Sequence, residues 1–291
     1  MLSILIPTYD HTCYQLVADL HEQAELLGVP YEIIVAEDGS RSQVDIIANH
    51  KMTELSHCQH IVNKEHLGPA NIRNLLARKA QYNWIVFIDS DAKVEKTDFL
   101  STYYQQIGKA DVVVGGLRHP TENHDPHRSL RFRYETEADK HRSAAERSLH
   151  PYDKFTPFNV MIRRSTFLCI LFNTHCKEYG YEDALFGVEL KRRNISILHI
   201  ENPLIHTGLD TNEVFLRKSE TALQSLKRLG AKMEGHSYVG KTYQRFRKYH
   251  ATWMLRGFYR LFGKLMRHLL LSKHPSLLCF SIYKLCYYAT L

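Results

Sequence analysis

Several features that would classify a chain at once are missing from this one. Its six cysteines (Cys13, Cys58, Cys169, Cys176, Cys279 and Cys286) form no C-x-x-C pair and no zinc-ligand spacing. That predicts free thiols in a reducing compartment rather than a metal ribbon or a disulfide framework. No uncharged apolar run approaches the roughly 18 residues that a bilayer span requires. Met1–Pro7 is apolar but has no basic stretch before it and no cleavage site after it, which predicts no secretory leader. No G-x-G-x-x-G follows the first apolar run, which argues against a dinucleotide fold, and the absence of G-x-x-x-x-G-K-[ST] excludes a P-loop. Acidic residues are absent from Lys241 to Leu291, although this stretch holds ten of the 38 lysines and arginines. Residues 1–240 keep 28 basic and 31 acidic side chains, so the net charge of +7 belongs to a basic tail on a near-neutral body. A tail of this kind points to an anionic partner.

What is present is a folded α/β pattern. With 291 residues, 44% of them apolar and 24% charged, the chain can bury the core of one large domain or of a domain with an appendage. Leu2–Ile6, Tyr31–Ala36, His60–Val62 and Trp84–Ile88 read as strands. Helical spacing of Leu16, Leu20, Ala24 and Leu27, ending at Gly28, predicts a helix after the first strand, and Gly68–Pro69 opens another over Ala70–Lys79. Alternating strand and helix predicts a parallel, doubly wound sheet with helices on both faces. Polar clusters end the first, second and fourth of these strands, where open α/β sheets bind ligands. The fourth ends in Asp89-Ser90-Asp91. Two hard carboxylates on a tight turn, with a small residue between them, suit Mg²⁺ or Mn²⁺ shared with substrate phosphates; an Asx-type turn is the plainer reading.

Further along, Asp111–Leu117 reads as a fifth strand ending in glycines. A basic-acidic helix over Ser129–Ser148 reads equally as a solvated face or as a loop that orders over substrate. Phe158–Phe167 and Ile195–Ile200 read as further strands, and Asn212–Leu229 as a helix.

Four motifs in order carry a family resemblance: P-T-Y-D after the first strand, E-D-G-S after the second, N-K-E-H-L-G-P-A-N-I-R-N leading into a helix, and D-S-D after the fourth. Together they resemble the family 2 glycosyltransferases, inverting enzymes of GT-A fold that use nucleotide-sugar donors. The resemblance implies that Pro7, Thr8 and Tyr9 line the base and ribose pocket, and that Asp38 accepts a hydrogen bond from the uracil imide N–H. It implies that Arg73 reaches the nucleotide, that Asp89 and Ser90 hold the donor on the ribose side, and that Asp91 holds the divalent metal. Read without it, Asp38 is a turn residue and Arg73 a solvated helix charge. E-Y-G-Y-E-D-A-L-F-G, from Glu178 to Gly187, resembles the acceptor-side helix start, which makes Asp183 the base and Glu182 its companion at the acceptor hydroxyls; a carboxylate pair complementing the helix dipole is the other reading. His206, or less directly His199, would complete the metal site.

The implied enzyme is a metal-dependent hexosyl- or N-acetylhexosaminyl-transferase. It would move a sugar from a UDP-sugar to a glycan or lipid-linked saccharide in polysaccharide or glycoconjugate synthesis. A sugar nucleotidyltransferase would need a glycine- and lysine-rich loop where P-T-Y-D stands, and a non-catalytic nucleotide-sugar-binding partner would not need both D-S-D and E-D. The expected organisation is a catalytic domain over 1–235 and a basic helical extension over 236–291.

In that extension, at about 100° per residue, Leu255, Phe258, Phe262, Leu265 and Leu269 fall on one side of a helix, with Arg256, Arg260, Lys264 and Arg267 opposite. Such a helix suits an anionic membrane surface, with on the order of 1 kcal/mol from each cation. A cytoplasmic enzyme held peripherally on the membrane is the corresponding expectation. Packing of the seam on the catalytic domain and dimerisation are the alternatives. No nucleic-acid recognition motif accompanies the charge.

Overall fold

Runs of β-branched and aromatic residues too apolar for either face to meet water dictate the central layer. In the computed structural model, which describes residues 1–174 and 180–291, these runs form β1 (Leu2–Thr8), β2 (Tyr31–Asp38) and β4 (Trp84–Ile88), while β3 (Cys58–Asn63), half-buried to exposed, edges the sheet beside β2. Every residue of β2 and β4 is buried. Two short strands, β5 (Ala92–Lys93) and β7 (Leu117–Arg118), flank β6 (Val112–Val114), and β8 (Asn159–Arg163), β9 (Ile197–His199) and β10 (Leu204–His206) follow. The main sheet has the order β3-β2-β1-β4-β8-β6-β9, and β5-β10-β7 form a second, three-stranded sheet.

Strand β1 lies between β2 and β4 and is parallel to both. The chain therefore winds outward to one side of β1 and then returns to start the other side. The carboxyl ends of β1 and β4 flank this reversal, the position where such sheets open a ligand crevice. Helices Tyr14–Leu27, Gln43–His50 and Pro69–Lys79 make the crossovers. Leu16, Val17, Leu20 and Ala24 pack on one face, and Ala70, Ile72, Leu76 and Ala77 on the other.

The second half departs from a purely parallel pattern. Strand β8 runs antiparallel to both β4 and β6, and the chain from Arg164 turns helical through Ile170 instead of extending the strand to Phe167. The expected strand over 111–117 splits: β6 stays in the main sheet, and after Gly115–Gly116 the chain crosses to the small sheet as β7. The expected helix over 129–148 is two helices, Ser129–Asp139 and Ala144–Leu149. Ser143 and Glu146 form a capping box that starts the second afresh.

Two compact units emerge. One holds Met1–Arg118, the stretch beginning at His141, and Glu182–Gly208; the other holds His119–Lys140 and Leu209–Leu291. Helix Asn212–Leu229, which falls before position 235, thus groups with the C-terminal helices. In the second unit Leu130, Leu216, Met266, Leu270, Phe280 and Tyr283 share a core. Its last two helices, Thr252–Leu270 and Leu277–Thr290, pair with each other.

Candidate active site

The turns after β1 and β2 are tied together by their own polar groups. Asp10, in a left-handed conformation, accepts hydrogen bonds from the backbone N–H of Arg41 (2.6 Å) and Ser42 (2.9 Å). The Thr8 hydroxyl is spent on the His11 carbonyl (2.9 Å). Pro7 is half-buried, whereas Tyr9 is 44% exposed. The Tyr9 ring lies against that of His66, with centroids 4.9 Å apart.

Asp38 is buried, and its two oxygens accept the N–H groups of Leu67 (2.7 Å) and Gly68 (3.0 Å). The carboxylate thereby fixes the loop that opens helix Pro69–Lys79. His66 Nδ1 also sits 3.1 Å from Asp38 Oδ2 and 2.9 Å from its carbonyl oxygen. Gly39, at φ +73°, lets this loop approach: a Cβ there would stand 2.5 Å from the His66 nitrogen. Beneath them Glu37 is fully buried and engages Asn49 (2.9 Å), His60 Nε2 (3.1 Å) and the Ser40 hydroxyl. Sequence reasoning missed His66 and Glu37, although both lie inside the quoted motifs.

Arg73, one turn into helix Pro69–Lys79, is no solvated charge. It is buried and ion-paired with Asp89. Burial disfavours its positive form, but Asp89, with Glu182 and Asp183 behind it, outweighs that and holds its pKa above the usual value. The pair locks the helix to the D-S-D turn, with Asp89 and Ser90 half-exposed. Arg73 therefore reaches a carboxylate rather than open solvent.

Asp91 meets His206 of β10, with Nε2 3.2 Å from Oδ2. The meeting is built by the small sheet: His206 pairs with Ala92 in register, and Thr207 donates its N–H (2.9 Å) and its hydroxyl (2.7 Å) to the Asp91 carbonyl. Gly208 matters here, because a Cβ would lie 2.2 Å from Asp91 Oδ2. A carboxylate and an imidazole facing each other are donor types that fit a divalent cation such as Mn²⁺. Among the described residues no group of three His, Cys, Asp or Glu side chains gathers at one point. The alternative His199 is ruled out as a ligand. It is buried, its Nδ1 lies 2.9 Å from Arg147 and its Nε2 3.0 Å from the Pro151 carbonyl. Burial pushes its pKa down to about 4.

Glu182 and Asp183 begin helix Glu182–Arg192, while Glu178 and Tyr179 of the same motif lie outside the described residues. Glu182 is buried. Asp183 reaches the surface in part, and its Oδ1 accepts the Ala184 N–H (2.7 Å). Packed surroundings push its carboxyl above the ordinary range, against the pull of that N–H and of Arg73; the Asp89 charge pushes the same way. Asp89, Arg73 and Asp183 are thus near enough to bias one another's charge. The structure brings Arg73 and Asp89 near the helix-start carboxylates and sets Asp91 beside His206.

The family model described as Glycosyl transferase family 2 matches residues 3–171. No curated protein sequence matches the chain. Among solved structures, a mannosyltransferase from Pyrobaculum calidifontis in complex with GDP-Man and Mn²⁺ is similar at 15% identity and a TM-score of 0.52, over 78% of this chain and 63% of that one. The chain thus spans less than two thirds of that relative's length. S. aureus TarS 1–349 in complex with UDP-GlcNAc is similar at 17% identity and a TM-score of 0.52, over 94% of this chain and 73% of that one. Both similarities bear on the fold, which is GT-A.

Proposed function

The chain belongs to glycosyl transferase family 2, and from that premise we propose that it transfers a sugar from a nucleotide-diphosphate donor to a glycan hydroxyl with inversion. One observation carries the reading. The Arg73–Asp89 ion pair joins the D-S-D turn to a helix whose start is held by Asp38, and the same arginine feels the charge of Asp183. The residues that carry the chemistry all lie within 1–235, the part assigned to catalysis. Structural neighbours in complex with GDP-Man and with UDP-GlcNAc support a nucleotide-sugar donor. Within that class we favour a UDP-sugar, with hexose or N-acetylhexosamine as the group transferred.

The donor base rests at Tyr9 and His66, beside Pro7 and Thr8. Asp38 has spent one lone pair of each oxygen on the loop, and the lone pairs left over serve the base. Asp91 and His206 would hold Mn²⁺ or Mg²⁺, which supplies charge neutralisation to a leaving diphosphate when bound. Asp183 takes the proton of the acceptor hydroxyl as that oxygen bonds to the anomeric carbon; the bond from this carbon to the phosphate oxygen breaks and its electron pair leaves with the diphosphate. A carboxyl raised above its ordinary range is a better base for this step. Glu182 orients the acceptor or the base.

Calorimetry with UDP and Mn²⁺, alongside release of UDP in the presence of acceptor, tests the assignment. Asp91→Ala should lose donor binding, whereas Asp183→Asn should bind donor as the native protein does and turn over about 10²–10⁴-fold more slowly. Equal donor binding in all three proteins, or native-rate turnover by the Asp183 variant, would overturn the roles.

A further inference from the structure

The amphipathic helix of the second unit does not use its apolar seam for packing. Helix Thr252–Leu270 turns Met266, Leu270 and the half-buried Tyr259 toward Phe280 and Tyr283 of the last helix. Of the seam named above, only Leu255 is buried. Met254, Phe258, Leu261, Phe262, Leu265 and Leu269 remain exposed, from 42% at Phe258 to 77% at Leu261. At about 100° per residue they cover roughly a third of the helix circumference, along most of its approximately 28 Å length. Phe258 and Phe262 stack on each other at 4.8 Å, and Trp253 stands exposed at the helix start. On the opposite side Arg260 and Lys264 are exposed.

A contiguous apolar ridge of this size marks a surface that meets something. Charge selects the occupant. The segment from Lys241 onward holds ten cations and no acid, so a second copy docking through this ridge would bring two such segments together. A surface that is apolar beneath and anionic above satisfies both halves of the helix at once. Among the described residues no helix is long and apolar enough to cross a membrane, and an amphipathic helix of this kind lies in the interfacial plane.

We propose that this ridge docks on an anionic lipid bilayer, with Phe258, Leu261, Phe262 and Leu265 entering the headgroup–acyl boundary and Arg260 and Lys264 on the other flank drawn by the negative potential of the lipid headgroups. The inference stands independently of the enzymatic assignment. Flotation of the full chain with vesicles of phosphatidylcholine alone, or of an equimolar mixture with phosphatidylglycerol, tests it.

The native protein should partition at least about tenfold more strongly into the anionic vesicles, and the excess should fall away at high salt. Leu261→Glu combined with Leu265→Glu should abolish flotation while leaving the thermal melt unchanged. Arg260→Glu with Lys264→Glu should remove the preference for the anionic vesicles. Equal flotation with both vesicle types, or undiminished flotation of the leucine variant, overturns the proposal. So does sedimentation showing a dimer that the leucine variant dissolves, which would give the ridge to a second copy.

Discussion

The sheet ends and helix Thr252–Leu270 both concentrate charge, and they handle it in opposite ways. At the sheet ends charge is buried or half-buried and held: Asp38 by two backbone N–H groups, Arg73 by Asp89, and Asp91 against the His206 ring. A charge withdrawn from water is costly without partners, so each partner fixes a position. The matching therefore fixes the relative positions of these side chains, as the proposed donor site requires. On the helix Arg256 and Arg267 are tied to Ala289 and Glu220, but Arg260 and Lys264 stay in solvent, and the apolar ridge is also left out. Charges left in solvent in this way are suited to a broad surface. Preorganised charge goes with chemistry; solvated charge beside an apolar ridge goes with adhesion.

Removing a matched group should cost far more than removing a solvated one. Asp183→Asn is expected to lower turnover by about 10²–10⁴-fold. The acid limb of the native pH–rate profile should sit above the ordinary carboxylate range, since the Asp183 pKa is raised; a limb within that range would deny it the role of base. Arg73→Ala leaves Asp89 facing an emptied site and should cost about 3–5 kcal/mol in urea unfolding. A loss under 1 kcal/mol would mean that the pairing is as weak as an exposed one. Gly208→Ala pushes a methyl group against Asp91. Its signature should be donor binding with Mn²⁺ weakened by about tenfold or more, roughly 1.4 kcal/mol, with the melt little changed; unaltered calorimetry would show that Asp91 has room to move.

His199 adds a subtler test. Its pKa falls from 6.5 when unfolded to about 4 when folded, so the unfolded chain binds the extra proton first. Stability is therefore held above about pH 6.5 and declines as the pH drops toward 4. His199→Gln should flatten that part of the pH–stability curve, and a curve of unchanged shape would reject the linkage. The smallest effect belongs to the helix: Arg260→Ala should move the melt by no more than about 0.5 kcal/mol.

Much of the first unit was legible from the chain because its signals are local. The runs Tyr31–Ala36 and Trp84–Ile88 admit only buried strands, Gly28 ends its helix as a C-cap should, and the polar residues closing β1, β2 and β4 mark one edge of the sheet. Helix Asn212–Leu229 follows its leucine spacing to both ends. The antiparallel turn of β8 was not legible, since strand direction depends on which neighbours are free. Neither was the inward turn of Arg73: a helix position shows which face a residue is on, but not the carboxylate waiting there. His66 and Glu37 went unnoticed because their importance lies in contacts with Asp38 and Ser40 rather than in any spacing of their own.

By itself the sequence determined most of the buried strands and the long helices, the family, and a tail rich in cations, because each of these follows from residue type and short-range period. Only the tertiary structure decided that His206 rather than His199 faces Asp91, that Arg73 is spent on Asp89, and that the seam of helix Thr252–Leu270 stays outside. Those outcomes depend on which distant surfaces win the competition for burial, and that competition is settled by packing among elements far apart along the chain.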